Sequence, residues 1–158
     1  MNRATRHVRV LLLAGMCALS ILWASPGFAS NASDLQAMVG KLVSDINKGD
    51  FKAVAGACAP HAAIVDGFPP YAWQTCADWM KGYEANNKSI QATLGTLSIG
   101  KPTYTEVRGD YAYSVYPVTF SDTQNGKLTS YKGSMAVTLQ KMPSGWFFTG
   151  IASAWGTN

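Results

Sequence analysis

Asp66 is the residue whose type and setting most invite a chemical reading. The run Ala62-Ala-Ile-Val-Asp-Gly-Phe68 has the composition of a short strand, and period-two alternation puts Ile64, Asp66 and Phe68 on one face, Ala63 and Val65 on the other. An ionised carboxylate beside Ile64 and Phe68 is costly to bury unless it is paired or hydrogen-bonded. Two readings stay open: Asp66 lines a pocket, or it reaches the surface at the strand end as a turn residue. Other titrating groups are sparse. His61, next to Pro60, reads as a solvated histidine at a helix-to-strand junction. The chain carries no clustered His, Cys, Asp and Glu at metal-ligand spacing, no phosphate-cradling glycine loop, no G-x-S-x-G elbow and no C-x-x-C pair. No metal and no cofactor is therefore expected.

The compartment is read from the first residues. Arg3, Arg6 and Arg9 form a basic start, Val10 to Ala24 is apolar, and Gly27-Phe-Ala29 offers the small residues a signal peptidase reads. Residues 1–29 are expected to be a cleaved secretory signal, and 30–158 a single domain, periplasmic or secreted. The apolar run is shorter than the ~20 residues that a transmembrane helix needs. Of 13 basic and 9 acidic residues, three arginines lie in 1–29, which leaves 10 against 9. That near-neutral balance carries no footprint for nucleic acid or for an anionic membrane. In an oxidising compartment Cys58 and Cys76 are expected to pair as a disulfide, the competing reading being a free Cys76 thiol at a helix N-terminus.

The elements that must position Asp66 follow from periodicity. Leu35, Met38, Val39, Leu42, Val43 and Ile46 repeat as one face of an amphipathic helix, with Ser33 as its expected N-cap and Gly49 as its stop. A short helix is expected over Asp50–Cys58, closed by Pro60. Thr75-Cys-Ala-Asp78 resembles a capping box and starts a third helix, on which Cys76, Trp79, Met80 and Tyr83 share a face and Asn86-Asn87 is the expected end. That aromatic stripe fits core packing more readily than a binding site. Ser89 to Thr105 is expected to supply another strand. Three long antiparallel strands close the chain: Tyr111–Phe120, then Tyr131–Lys141 beyond an Asn-Gly turn signal, then Trp146–Trp155 beyond Pro143-Ser-Gly145. In the middle one Tyr131, Gly133, Met135, Val137 and Leu139 share a face.

This order resembles the nuclear transport factor 2-like superfamily, and within it the SnoaL-like proteins, over about residues 33–156. The supporting residues are Asn47-Lys-Gly-Asp-Phe51, Ala62 to Phe68 followed by Pro69-Pro70-Tyr-Ala-Trp73, and the terminal Gly145-Trp146-Phe-Phe-Thr-Gly150. The resemblance implies an α+β fold, a cone in which three N-terminal helices pack against a strongly curved, mostly antiparallel sheet and leave a pocket at the open end, often in a homodimer packed through the sheets. Ketosteroid isomerases, dehydratases, polyketide cyclases and members without activity share that fold.

On the resemblance, Asp66 is a candidate general base for proton transfer on a small hydrophobic substrate, and Tyr113 or Tyr71 a candidate hydrogen-bond donor to it. The expected pocket wall, beside Asp66, is Phe68, Tyr71, Trp73 and Trp79, completed by Tyr113, Met135 and Phe148. With Trp146 and Phe148 inward, strict alternation also puts Gly150, Ala152 and Ala154 inward, where catalytic relatives carry histidine. It leaves Phe147, Ile151 and Trp155 as an outer apolar strip that a homodimer would cover. Two functions follow: an exported, non-catalytic protein that binds a small hydrophobic ligand, or a cofactor-independent isomerase or dehydratase with Asp66 as its base.

Overall fold

A computed structural model of the 158-residue chain describes residues 26–156. The first helix, α1 (Pro26–Lys48), buries Leu35, Val39, Leu42, Val43 and Ile46, the expected face. It begins at Pro26 rather than at a cap on Ser33, because proline at the first helical position gives up no needed N–H and nothing between the two breaks the helix. The signal-peptide reading of residues 1–29 falls mostly outside the described residues. Gly49, at φ +70°, ends the helix in the left-handed conformation, with its N–H on the Ile46 carbonyl. The Asp50 side chain then accepts from the Ala53 N–H at 3.0 Å and starts α2 (Phe51–Gly56).

Cys58 belongs to the first strand, β1 (Cys58–Val65), not to the second helix, and His61 is an exposed strand residue there rather than a turn residue. After β2 (Ala72–Trp73) comes α3 (Cys76–Ser89), whose cap Thr75 accepts from the Asp78 N–H at 3.0 Å. Asn86 and Asn87 lie inside this helix, which runs to Ser89. Four buried residues of α3, Cys76, Trp79, Met80 and Tyr83, pack into the core.

The remaining strands are β3 (Thr96–Ile99), β4 (Tyr104–Arg108), β5 (Tyr111–Gln124), β6 (Lys127–Met142) and β7 (Gly145–Gly156). The sheet order is β2-β1-β7-β6-β5-β3, with β4 also paired to β5; only β1 and β7 run parallel. The sheet is curved and not closed, and the helices pack on its inner face. Met135, Val137 and Leu139 of β6 are buried there, as alternation expects. The Asn47 side chain joins the layers by imitating a backbone pair: it accepts from the Leu97 N–H at 2.7 Å and donates to the Leu97 carbonyl at 2.8 Å.

Two departures in the long strands matter for the site. First, β5 continues through Ser121-Asp-Thr-Gln124, and the turn is confined to Asn125-Gly126, both with positive φ. Second, Thr138 pairs with Gly150 but Leu139 pairs with Phe148, so Thr149 is an extra residue on β7, a β-bulge. The bulge resets the alternation. Phe148 and Ile151 are both buried, Ser153 and Trp155 also face inward, and Ala152 and Ala154 are exposed. The expected outer strip Phe147-Ile151-Trp155 does not exist, and it supplies no reason for a dimer.

Candidate functional site

Cys58 and Cys76 form a disulfide with Cα atoms 6.2 Å apart, joining the start of β1 to the start of α3. The chain between them carries Asp66 just beyond the end of β1, where β1 lies parallel to β7 with Val65 opposite Ala152. Tethered on one side to α3 and paired on the other to β7, Asp66 meets side chains from both. Its Oδ2 accepts from the Trp79 indole N–H at 3.0 Å, and its Oδ1 accepts from the Trp155 indole N–H at 2.9 Å and from the Gly67 backbone N–H at 2.8 Å. A carboxylate has about four acceptor positions, so three donors leave roughly one unused.

Burial pushes the Asp66 carboxyl above its ordinary value, against the opposing pull of the hydrogen bonds from Trp155, Gly67 and Trp79. Gly67 also makes room for the indole. A Cβ there would lie 2.6 Å from Trp155 Cδ1, closer than nonbonded carbons approach.

Asp66 borders a cavity of about 360 Å³ between the C-terminal end of α1 at Ile46, the length of α3 from Trp79 to Asn87, and the inner face of β3, β5, β6 and β7. Its aromatic wall is continuous. Phe68 and Tyr83 have ring centroids 6.1 Å apart, Tyr83 and Phe120 6.4 Å, and Phe120 and Trp155 6.0 Å. The two tyrosine hydroxyls on this wall are engaged: that of Tyr83 accepts from the Gly95 N–H at 3.2 Å, and that of Tyr131 accepts from Gln124 at 3.3 Å. Met135 contributes to the floor.

A second carboxylate lies on the same wall. Asp122, 5% exposed, accepts from Gln124 Nε2 at 3.1 and 3.0 Å and from the Thr129 hydroxyl.

Of the residues expected to line the pocket, Asp66, Phe68, Trp79 and Met135 border this cavity. The other four do not. Tyr113 stands on the outer face of β5, 39% exposed, its ring 5.9 Å from that of Tyr104, because inward positions on that strand are the even-numbered ones from Ala112 to Gln124. Tyr71, 58% exposed, follows Pro70 with φ +70° and points its side chain to solvent. Trp73 is buried behind the wall, stacked near Phe68 at 4.7 Å and against Gly82. Phe148 is fully buried in the core.

Asp122, Gln124, Ser153 and Trp155 are among the bordering residues that escaped the sequence reading. Asp122 and Gln124 were hidden because Ser121-Asp-Thr-Gln-Asn-Gly has the composition of a turn. Ser153 and Trp155 were hidden by the bulge, whose one sequence signal is Gly150 inside a strand. Among the described residues no group of three His, Cys, Asp or Glu side chains could hold a metal ion.

No protein-family profile and no curated protein matches the chain. Solved structures do. One is a nuclear transport factor 2-like superfamily protein from Salmonella enterica serovar Typhimurium, with TM-score 0.69, 14% identity, and 83% of this chain and 94% of that one covered. Another is a nuclear transport factor 2-like protein with a cystatin-like fold from Novosphingobium aromaticivorans, with TM-score 0.67, 17% identity and coverage of 89% and 92%. A third is a proposed dehydratase of the same family from Streptomyces avermitilis, with TM-score 0.67, 12% identity and coverage of 82% and 99%. At such identities the likeness establishes the fold, the nuclear transport factor 2-like one, and the SnoaL-like assignment fits it.

Proposed function

From the nuclear transport factor 2-like fold as premise, we propose that this protein is an exported binding protein that holds a small, largely apolar molecule in the cavity beside Asp66 without transforming it. The observation that carries the reading is the state of Asp66. Two indole N–H groups and a backbone N–H fix the carboxylate in place. That leaves one acceptor position for a ligand hydroxyl or N–H. A general acid–base mechanism calls for a second group poised to exchange protons with the substrate. The tyrosines nominated for that role, Tyr113 and Tyr71, are turned to solvent, and the other carboxylate on the wall, Asp122, is taken up by Gln124 and Thr129. The aromatic wall supplies the apolar contact that such sites use for affinity, with the few polar groups setting orientation. Export is proposed on the basic-then-apolar start of the chain, and the Cys58–Cys76 bridge is in keeping with an oxidising compartment.

One observation favours a second reading. Burial raises the Asp66 carboxyl, the direction in which a carboxylate becomes a better base near neutral pH, and one structural relative is described as a proposed dehydratase. The experiment joins two measurements. Native mass spectrometry of protein purified from its own cell envelope is expected to find a retained small molecule. Unsaturated ketones and hydroxylated aromatics are then screened for turnover with Asp66→Asn as control. Saturable turnover that vanishes in the variant would establish the enzyme and remove the binding reading.

A further inference from the structure

The two carboxylates on the cavity wall share a property that apolar-ligand binding does not use. Neither is neutralised. The ion pairs among the described residues are Lys41–Asp45, Lys81–Asp78 and Arg108–Glu106, none of whose members borders the cavity. No Lys, Arg or His borders the cavity among the described residues. Asp66 is held by indole and backbone N–H groups, and Asp122 by an amide and a hydroxyl. Neutral donors fix a carboxylate's position without supplying a counter-charge, and a buried unpaired charge is expensive. Phe68, Tyr83, Phe120 and Trp155 border the same space, tilted or edge-on to one another, and each ring that turns its face inward adds the negative side of its quadrupole.

We propose that the cavity selects an organic cation, a protonated amine or quaternary ammonium carried on an aromatic or branched apolar body, with Asp66 and Asp122 as its counter-charges and the Phe68–Tyr83–Phe120–Trp155 wall as its cation–π surface. This inference rests on the binding reading above and names the ligand class. The physical logic is complementarity: a cation over aromatic faces is attracted by the rings, and the attraction grows when water is excluded. A carboxylate within the same enclosure adds a Coulomb attraction larger than it would be in bulk solvent. An anion of equal size would meet two like charges. The burial that raises the Asp66 carboxyl acts in the same sense, since an incoming cation relieves the cost of its charge.

Three probes with one phenyl body separate the charge inference from the binding reading. Phenethylammonium, 2-phenylethanol and phenylacetate are titrated at neutral pH into the purified protein, with the emission of Trp79 and Trp155 reporting on the cavity they border. The expected order of affinity is cation, then alcohol, then anion, with the cation ahead of the alcohol by at least about fivefold. Asp122→Asn, which removes one of the two counter-charges, is expected to narrow the cation's lead over the alcohol, read as the ratio of the two affinities within the variant; an unchanged ratio in folded Asp122→Asn would remove Asp122 as a counter-charge. If the alcohol binds as tightly as the cation, the charge inference is overturned and the binding reading stands. If none of the three binds, both fall. The comparison on the unmodified protein decides the matter even where Asp122→Asn weakens the fold.

Discussion

Gly67→Ala is the substitution that tests most closely how Asp66 is held. The backbone at Gly67 does not lie in the left-handed region, so alanine meets no conformational obstacle, and its smaller unfolded-state entropy alone would stabilise the protein by about 0.4–1 kcal/mol. The obstacle is the indole: the new Cβ would stand 2.6 Å from Trp155 Cδ1 and 3.3 Å from Nε1. Relieving that contact needs a displacement of about 1 Å, and overpacking of this kind costs about 1–3 kcal/mol. Moving the indole also lengthens or breaks its 2.9 Å bond to Asp66, and a hydrogen bond to a charged group is worth about 1.5–3 kcal/mol.

The clash and the lost bond are one event, so the two costs overlap. Set against the entropy gain, the expected net loss is about 2 kcal/mol. Urea unfolding followed by far-UV circular dichroism measures it, and the control is a cycle with Trp155→Ala. In that background the clash is gone, and Gly67→Ala should become neutral or stabilising by up to about 1 kcal/mol. A Gly67→Ala protein as stable as the parent would refute the packing of Trp155 on Gly67 and with it the described setting of Asp66.

Other outcomes follow from the same geometry. Replacing Cys58 and Cys76 together by alanine should lower stability by about 3 kcal/mol, read by urea unfolding with and without reductant on the parent. Ile151→Ala should cost about 2–4 kcal/mol because the side chain is 1% exposed; a near-neutral result would mean that the bulge at Thr149 is absent and Ile151 faces outward. Asp66 has a raised carboxyl, so its contribution to stability is fully present below the unfolded value near 3.8 and is lost as pH rises through the higher folded value. Stability of the parent relative to Asp66→Asn should accordingly fall as pH is raised from the acid side toward neutrality; a rise over that window would contradict the burial assigned to Asp66.

Much of this structure is legible in the sequence because its signals are local. Gly49 and Asp50 mark one helix boundary and Thr75 another through caps that need only neighbouring backbone. The inward face of β6 follows from alternation uninterrupted between Tyr131 and Leu139. Asp66 stands out because a carboxylate between Ile64 and Phe68 violates that same pattern. Its partners were not legible, for two physical reasons. Trp155 reaches Asp66 only because one extra residue on β7 flips the parity beyond Phe148, and the shift is set by pairing with β6 and β1, not by local preference. Asp122 and Gln124 sit in a run whose polar residues favour a turn in isolation. Pairing of Ser121–Gln124 with Lys127–Ser130 holds it as strand. Tyr113 was misassigned for a simpler reason: nothing in a strand's own alternation says which of its two faces the helices cover.

The central claim is that the cavity beside Asp66 takes up a small molecule with an apolar body. It is tested most directly by titrating 2-phenylethanol into the parent protein and into Ser153→Phe, whose added ring would occupy the cavity from β7. Tryptophan emission is followed in both, and far-UV circular dichroism checks that the variant is folded. The account predicts a saturable isotherm for the parent and its loss in folded Ser153→Phe. A parent protein that gives no saturable change, or a folded variant that binds as the parent does, would contradict it.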